Sequence, residues 1–438
     1  MTKVALESVD AVRRRLAVEI PAAEVTAQIE RAYAQLKQRA RVPGFRQGRA
    51  PRSVLEKMFG DQVRADVFGR LVQDSYADAV REQNLQPVSS PEIITEHAEP
   101  GAPLRYSATV EVRPTVTASG YAGLAVQRPV HVITDADVDH FLTGLRERHA
   151  TLVSISDRHE AEAGDVATIN YEARVNGAVV GKGDQRLVEV GGRPEEGPGA
   201  HLAGALLGVP VSFEITYPAE HQNPDLAGKT VQFVATVTAL ARRDVPALDE
   251  AFAKTHGDVD TVEALRDLVK QQLDVAAQRD AAGAVRSALI TQLVKAHEFD
   301  VPQSMIDRRA ELLADEVLEG LGPRRPPASR EAEFRARLLR DLQEQARNQV
   351  KATLLLESIA EQERIAVDEA TLDADIDRLA ETAGKARERV RALYQDPGAR
   401  AGLRSRLLQD RALDLLVERA NITDVERPSG VAGVPGNG

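Results

Sequence analysis

The sequence predicts a multidomain α+β protein with an N-terminal α+β unit, a small antiparallel β-domain and an elongated all-helical C-terminal region. Three observations support this fold class. The chain has 438 residues, which is too many for a single hydrophobic core. The spacing of apolar residues is mixed at first, then alternates strictly, and finally follows the period of a helix. Glycines cluster between the alternating runs, as they do in turns between strands.

Residues 1–113 predict a compact α+β unit. Apolar side chains alternate over 12–20, which is typical of a strand with one buried face. Residues 22–40 follow with apolar positions three and four apart, which predicts a helix. Two further helices are predicted between Pro51 and Asn84. The closing strands are predicted at 91–97 and 104–114.

Residues 114–149 predict a linker and one helix, and 150–245 predict the β-domain. Thr134 is followed three positions later by Asp137, which is the pattern of a capping box at a helix start. After this helix the period becomes two in the runs ATINYEARV, VSFEITY and VQFVATVTAL. These runs predict strands of an antiparallel sheet.

Residues 246–425 predict a helical region, because apolar side chains recur at helical spacing almost throughout. The predicted helices cover 261–298, 303–320, 330–365, 369–395 and 399–420. Residues 426–438, which are rich in glycine and proline, predict a disordered tail.

The composition excludes several classes of protein. The absence of cysteine excludes disulfides, thiol catalysis and cysteine-based metal sites. No window approaches the roughly 18 apolar residues of a membrane-spanning helix, and the first residues lack the pattern of a signal peptide. We therefore expect a cytoplasmic protein without a membrane partner.

One loop, RARVPGFRQGRAP at residues 39–51, differs from its surroundings. Gly44 and Gly48 permit backbone conformations that other residues disfavour, and prolines stiffen both shoulders. This arrangement predicts that Phe45 points outward between arginines. The alternative is that Phe45 folds back onto the helix predicted at 22–40 as a core residue.

The same region has a net positive charge in an otherwise acidic chain. The net charge of the protein is -11, yet residues 31–57 contain eight basic residues and one acid, a local net charge of +7. Such a patch suggests docking to a polyanion or to an acidic protein surface. A solvated helix face is the alternative.

The segment GFRQGRAP resembles the signature loop of the trigger factor family, bacterial chaperones that sit at the ribosomal exit tunnel. The resemblance covers the whole length and includes ITDADVDHFLTGLRERHATLV, YPAEHQNPDLAGKTVQF and FDVPQSMID. It implies a ribosome-binding domain at 1–113, an FKBP-like peptidyl-prolyl isomerase domain at 150–245 and a helical substrate-binding chaperone domain at 246–425. The isomerase domain would be inserted into the helical one, so that the arm helix of 114–149 packs with the C-terminal domain.

The resemblance also implies partners. The loop would dock on the large ribosomal subunit beside the tunnel exit, contacting ribosomal protein and rRNA. The contact residues would be Gly44, Phe45, Arg46, Gln47, Gly48 and Arg49. The family usually has a second basic residue where Gln47 stands, and Arg49 would supply that charge. Nascent and unfolded polypeptides are the expected clients, and homodimers are expected away from the ribosome.

The isomerase pocket departs from the family pattern. The pocket candidates are Tyr171, Leu187 and Phe233, but Leu187, like Val180, stands where the family has a phenylalanine. Glu195, Glu196 and Pro198 stand where the family has an apolar pair and an aromatic residue at the pocket floor. His221 stands where a tyrosine is expected. Isomerisation of this type needs a dry aromatic pocket that favours the twisted imide, rather than an acid or a base. We therefore predict weak or absent isomerase activity and no secure catalytic residue.

No pattern in the sequence predicts a cofactor, a metal site or DNA binding. The nine histidines are scattered without metal-ligand spacing. The prediction is an ATP-independent chaperone that shields new chains at the ribosome. Two alternatives remain: an active prolyl isomerase as the main role, or an RNA-binding protein that uses the basic patch of 31–57.

Overall fold

The structure is a computed structural model that describes residues 2–97, 101–193, 197–218, 226–322 and 325–426. Contacts between Cα atoms divide the chain into two compact units. The first combines Met1–Arg128 with Ala282–Asp424, and the second is built on Pro129–Ala281. Helices and antiparallel sheets occur in the arrangement predicted, so the multidomain α+β fold class is confirmed. The finer domain limits given above stay a prediction.

The N-terminal part of the first unit is a four-stranded antiparallel sheet covered by two helices. Its strands are β1 (Lys3–Ser8), β2 (Arg13–Ile20), β3 (Glu92–His97) and β4 (Leu104–Glu111), in the order β1-β2-β4-β3. The helices are α1 (Ala22–Arg39) and α2 (Arg52–Glu82). The alternating residues Leu16, Val18 and Ile20 of β2 form the core with apolar residues of both helices. The two helices predicted after Pro51 are one continuous helix.

The segment after β4 is held to the C-terminal helices by a buried serine. Ser358 Oγ donates to the carbonyl of Val116 at 2.8 Å and accepts the N–H of Ala118 at 3.1 Å. The chain then forms β5 (Ala125–Val130), which pairs with β11 (Asn421–Glu426). Strand β11 follows the end of the last predicted helix at 420 and was not predicted from the sequence. The tail predicted at 426–438 lies outside the described residues from 427 onward.

The C-terminal helices differ from the predicted ones at two breaks. Their bounds are α5 (Val262–Ala296), α6 (Gln303–Gly320), α7 (Ala328–Asp341), α8 (Gln343–Gln362), α9 (Glu369–Thr382), α10 (Arg387–Leu393) and α11 (Pro397–Arg419). The helix predicted over 330–365 bends at Leu342, which lets α7 and α8 both pack beside α6. The helix predicted over 369–395 is interrupted by a 3₁₀ turn, Gly384–Ala386.

The second unit contains an arm helix and the β-domain. Helix α3 (Asp135–Arg148) has the predicted capping box between Thr134 and Asp137. It packs through Val138 and Leu142 against the short helix α4 (Glu250–Gly257) and the beginning of α5. The sheet contains β6 (Thr151–Ser154), β7 (Asp165–Val175), β8 (Ala178–Glu189), β9 (Pro210–Thr216) and β10 (Thr230–Asp244). Strand β10 pairs with β6, β7 and β9, and β8 pairs with β7.

Candidate functional site

The loop between α1 and α2 is anchored at both ends by buried side chains. Val42 and Ala50 are almost fully buried in the N-terminal core, whereas the residues between them lie at the surface. Gly44 and Gly48 have φ angles of 84° and 82°, which other residues rarely adopt. Both glycines therefore adopt the kind of backbone conformation that the sequence predicted for them.

Phe45 lies at the outer part of this loop and is 42% exposed. Its backbone N–H donates to the carbonyl of Val42 at 3.1 Å, and that of Arg49 donates to the carbonyl of Arg46 at 2.9 Å. These bonds close two consecutive turns that keep the phenyl ring out of the core. The alternative in which Phe45 is a core residue does not agree with this exposure.

Gln47 turns back toward the preceding helix. Its Nε2 donates to the backbone carbonyl of Gln38, in the last turn of α1, at 3.0 Å. An unpaired carbonyl at a helix end is a ready acceptor, and a side-chain donor satisfies it. The amide of Gln47 thus fastens the loop to α1, while the guanidinium groups on either side of it remain exposed.

Most of the positive charge around the loop is not neutralised. Arg52 pairs with Glu30 at 2.5 Å, and its guanidinium carbon lies 3.9 Å from the ring centroid of Tyr33. The other basic residues of 31–57 make no ion pair within the described parts of the chain: Arg31, Lys37, Arg39, Arg41, Arg46, Arg49 and Lys57. An exposed ring surrounded by free guanidinium groups can bind carboxylate or phosphate around an apolar centre.

A row of aromatic rings crosses the sheet of the second unit. The ring centroids of Tyr171 and Phe233, two of the predicted pocket residues, are 6.0 Å apart. Phe233 stacks on Phe213 at 5.5 Å, and Phe213 stacks on His201 at 4.8 Å. The sequence prediction missed Phe213 and His201 as members of this group. The alternation of VSFEITY placed Phe213 on an inward face, but only the pairing of β9 with β10 shows which rings it meets.

The structure does not bring Leu187 to these rings, which corrects its selection as a pocket residue. Leu187 is 61% exposed and pairs across the sheet with Thr168, whereas its neighbour Val188 packs against the domain core. Since successive residues of a strand point to opposite faces, Leu187 lies on the outer face. Pro198 begins a 3₁₀ turn that ends at His201. The other predicted departures, Glu195, Glu196 and His221, lie outside the described residues.

A buried carboxylate stabilises the turn that precedes β7. Asp165 is only 5% exposed and accepts a hydrogen bond from Arg158 Nη2 at 2.5 Å and from the N–H of Glu162 at 2.8 Å. The hydrogen bond from Arg158, followed by that from the Glu162 backbone, lowers the pKa of Asp165 despite its burial. The carboxylate is therefore charged at neutral pH and holds the start of the β-domain.

The helical part of the first unit contains a cavity of about 1010 Å³. Apolar residues of α5, α8 and α11 form part of its wall, among them Ile290, Val294, Leu356 and Leu413. Side-chain amides add hydrogen-bonding groups: Gln345, Asn348, Gln349 and Gln409. A cavity with both kinds of group can take up apolar side chains and can also bond to the main chain of a polypeptide.

The described residues contain neither a candidate metal site nor a candidate membrane-spanning helix. No group of three or more histidine, aspartate or glutamate side chains is arranged to hold a metal ion there. None of the described helices is both long and apolar enough to cross a membrane.

Comparisons with known proteins match both the N-terminal and the C-terminal regions of the chain. The model of the family "Bacterial trigger factor protein (TF)" matches residues 2–145, and that of its C-terminus matches residues 261–418. The trigger factor of Anaeromyxobacter sp. (strain Fw109-5) is 35% identical and is aligned over 96% of this chain and 99% of its own length. The trigger factor of Geobacter sp. (strain M21) is 32% identical over 97% of this chain and 99% of its own length.

One solved structure, described as "Promiscuous Substrate Recognition in Folding and Assembly Activities of the Trigger Factor Chaperone", has 23% identity and a TM-score of 0.46. It covers 95% of this chain and 99% of its own. The matched families and relatives are multidomain folding chaperones, and this chain has an α+β unit with an exposed basic loop, a β-domain and a helical body. The two family models together match more than half of the chain, and the chain belongs to the trigger factor family.

Proposed function

We propose that this chaperone docks on the large ribosomal subunit near the tunnel exit through the loop Gly44–Arg49, and that it shields newly made chains there in the cytoplasm. One observation carries the proposal: Phe45 is exposed between two buried anchors, in a loop whose arginines make no ion pair within the described residues. An aromatic ring in the centre of a small interface, with guanidinium groups around it, is a typical binding hot spot. The ribosome offers both acidic protein and rRNA phosphate as partners.

Arg46 and Arg49 provide the charge in this proposal. Neither forms an ion pair within the described residues, so neither has to leave a partner when it binds a carboxylate or a phosphate. Gln47, which the family pattern places in the contact, would act mainly by fastening the loop to α1. Gly44 and Gly48 would provide the turns rather than contacts.

Docking would raise the concentration of the chaperone near an emerging chain, so that each contact with the client can be weak. The cavity lined by α5, α6, α8 and α11 would provide a surface for such contacts, because it combines apolar walls with side-chain amide groups. We expect no nucleotide to be required. Away from the ribosome, pairing of two copies would cover the same apolar surfaces.

Ribosome co-sedimentation tests the docking role. The double variant Phe45→Ala/Arg46→Ala should bind ribosomes at least about tenfold more weakly than the wild type, because a hot-spot ring and a charge contact are lost together. Leu393→Ala/Arg389→Ala is a matched control, since it removes an exposed apolar residue and an arginine from α10 in the helical body. Undiminished binding by the Phe45/Arg46 variant would reject the docking role.

An RNA-binding role for the patch of 31–57 predicts a different result. The protein would then bind free rRNA tightly and with a steep dependence on salt, without ribosomal protein. Equal affinities for free rRNA and for whole ribosomes would favour that role over the proposed one.

The β-domain is proposed to have weak or absent isomerase activity. The row of rings from Tyr171 to His201 provides apolar surface for a prolyl residue, but Leu187 points away from it and one of the four rings is a histidine. Turnover of a short Xaa-Pro peptide tests this part. Efficient catalysis would contradict it without affecting the docking proposal.

A further inference from the structure

The cavity of the helical part is polar at one end of α8 and apolar at the other. The residues of α8 that line it are three or four positions apart, so they lie on one face of the helix: Gln345, Asn348, Gln349, Ala352, Thr353 and Leu356. The amides occupy the beginning of this face and Leu356 its end. The two ends are about 16 Å apart, because a helix rises 1.5 Å per residue.

Three helices form the apolar end of the cavity. Leu356 of α8 and Leu413 of α11 are buried in one hydrophobic cluster, and Ile290 and Val294 of α5 pack against it. All four residues line the cavity. Ile290 and Val294 are only half-buried, so they retain apolar surface that the side chain of a ligand would remove from water.

Two of the four amides in the cavity wall are held by neighbouring side chains. Gln349 Oε1 accepts the Nε–H of Arg309 at 2.5 Å, and Gln409 Nε2 donates to Ser405 Oγ at 3.0 Å. A group that already has a partner gains little from a ligand, because the new hydrogen bond replaces an existing one. The other two amides are therefore the better ligand contacts.

Gln345 and Asn348 are exposed and have unused hydrogen-bonding groups. Within the described residues, Gln345 makes no side-chain hydrogen bond, and Asn348 donates only to Glu344, at 3.4 Å. Each amide has both donors and an acceptor, so it can bond to an N–H or to a C=O group. The Cβ atoms of residues three apart on a helix are separated by about 5–6 Å. This spacing suits the N–H and C=O groups of one residue in an extended chain, which point to the same side.

We propose that the cavity binds an extended segment of about five residues and recognises its main chain through Gln345 and Asn348. An extended chain rises about 3.4 Å per residue, so about five residues span the distance from these amides to Leu356. One apolar side chain of the segment would lie against Ile290 and Val294. A helical segment would bind poorly, because its N–H and C=O groups are bonded within the helix. The inference deepens the proposed contact between the cavity and unfolded chains, and it rests on that contact.

The double variant Gln345→Leu/Asn348→Leu tests the role of the amides. Its affinity for a labelled peptide Ser-Thr-Val-Leu-Val-Thr-Ser, measured by fluorescence anisotropy without ribosomes, should be about tenfold lower than that of the wild type, because two hydrogen bonds are lost. A cavity that recognised only apolar side chains would instead bind the peptide more tightly, since its wall has become more apolar. Tighter or unchanged binding would overturn the proposal.

Gln271→Leu/Gln278→Leu is the matched control. Both glutamines are exposed on α5 and neither lines the cavity, so this variant gains similar apolar surface elsewhere. It should bind the peptide as the wild type does. An equal loss of affinity in the control would show that the effect does not arise at the cavity, and the proposal would fail.

A modified peptide tests the same contacts without a change to the protein. Methylation of its three central backbone nitrogens removes main-chain donors, and should lower the affinity of the wild type about tenfold. The affinity of Gln345→Leu/Asn348→Leu should change much less, because the partners of those donors are already absent. Equal losses in the two proteins would mean that the amides do not contact the main chain.

Thr353→Trp separates failure of this inference from failure of the proposed client surface. Thr353 is half-buried in the cavity wall, and a tryptophan there would fill the cavity. If this variant loses the peptide while the amide variant keeps wild-type affinity, the cavity binds clients but does not recognise their main chain. Wild-type affinity in Thr353→Trp would reject both proposals. So would a wild type that binds no peptide but self-associates in a way that Thr353→Trp abolishes, because a second copy would then be the occupant.

Discussion

The carboxylate of Glu111 caps helix α6 by accepting the backbone N–H of Ser304 at 2.9 Å, and it also accepts that of Gln303 at 3.2 Å. The residue at the N-cap position is Pro302, which has no side-chain acceptor. The first N–H groups of a helix lack partners within the helix, so they need an external acceptor. Glu111 supplies it from the end of β4, and the negative charge also interacts favourably with the helix dipole. The cap therefore joins the N-terminal sheet to the C-terminal helices.

Removal of this cap should weaken that connection. Glu111→Ala is expected to lower the free energy of unfolding by about 1 kcal/mol, the usual cost of losing a helix cap. It should also speed amide hydrogen exchange in the first turn of α6. Glu111→Gln keeps one accepting oxygen. Its free energy of unfolding and its exchange rate should therefore lie between those of the wild type and of Glu111→Ala. Urea denaturation and hydrogen exchange measure both effects.

Glu82→Ala is a suitable control, because this exposed glutamate ends α2 and makes no ion pair within the described residues. It should leave exchange in α6 unchanged. If Glu111→Ala leaves exchange there at the wild-type rate, the carboxylate does not act as the cap.

Local features of the fold could be predicted from the sequence, whereas features that depend on distant contacts could not. The capping box of Thr134 and Asp137 is encoded by two residues three positions apart, and the structure contains it. The cap of α6 comes from Glu111, almost two hundred positions earlier in the chain. No local pattern connects Glu111 with Gln303, because the connection exists only after the sheet has packed.

The candidate sites show the same distinction. Exposure of Phe45 follows from glycines and prolines within the loop, so the sequence predicted it. The hydrogen-bond partner of Gln47 and the stacking of His201 on Phe213 depend on how separate segments of the chain pack in the folded protein. Leu187 was selected from the family pattern, which does not specify the register of β8 against β7; in a strand, a shift of one residue reverses the direction of every side chain.

Acid should destabilise the β-domain through Asp165. Its pKa is lowered in the folded state, first by the hydrogen bond from Arg158, so its carboxylate contributes stability above the unfolded pKa of about 3.9. That contribution is lost as the pH falls through the lower, folded pKa. Asp165→Asn should cost about 1.5–3 kcal/mol at neutral pH, the range for hydrogen bonds to charged groups. Thermal unfolding between pH 7 and pH 2 would record both results.

The variant should also lose stability less steeply than the wild type below pH 4, because it has no carboxylate to protonate at this position. Asp157→Asn removes a nearby carboxylate for which no hydrogen bond to Arg158 is found in the structure, and should retain the wild-type profile. Parallel acid profiles for the wild type and Asp165→Asn would contradict the assignment.

Gln47 should act by positioning the docking loop. Gln47→Ala is expected to weaken ribosome binding about three- to tenfold, which corresponds to the loss of one hydrogen bond that orders the loop. In the free protein, the same change should speed amide exchange at Gly48 and Arg49. A residue that only contacts the ribosome would leave exchange in the free protein unchanged, so the second measurement separates the two roles.

Gln38→Ala is the matched control for this prediction. Gln47 donates to the backbone carbonyl of Gln38, so truncation of the Gln38 side chain leaves the hydrogen bond in place. In Gln38→Ala, amide hydrogen exchange at Gly48 and Arg49 should proceed at the wild-type rate. If amide exchange in Gln47→Ala equals that of the wild type, the hydrogen bond from Gln47 to Gln38 does not order the loop.

His201 should limit the apolar character of the aromatic row. Its Nε2 is buried and has no hydrogen-bond partner among the described residues, and an unsatisfied buried polar atom costs about 1–3 kcal/mol. His201→Phe keeps a ring stacked on Phe213 and removes that nitrogen. We therefore expect a higher midpoint of thermal unfolding and faster turnover of an Xaa-Pro peptide, measured by a standard isomerisation assay.

The comparison with Leu187→Phe makes this prediction specific. Both variants introduce a phenylalanine into the β-domain, but Leu187 is exposed on the outer face and away from the row of rings. If the rings bind the prolyl residue, only the ring added at position 201 can extend the surface that the substrate contacts, so Leu187→Phe should leave turnover unchanged. A gain at position 187 but not at 201 would place the isomerase surface on the opposite face of the sheet.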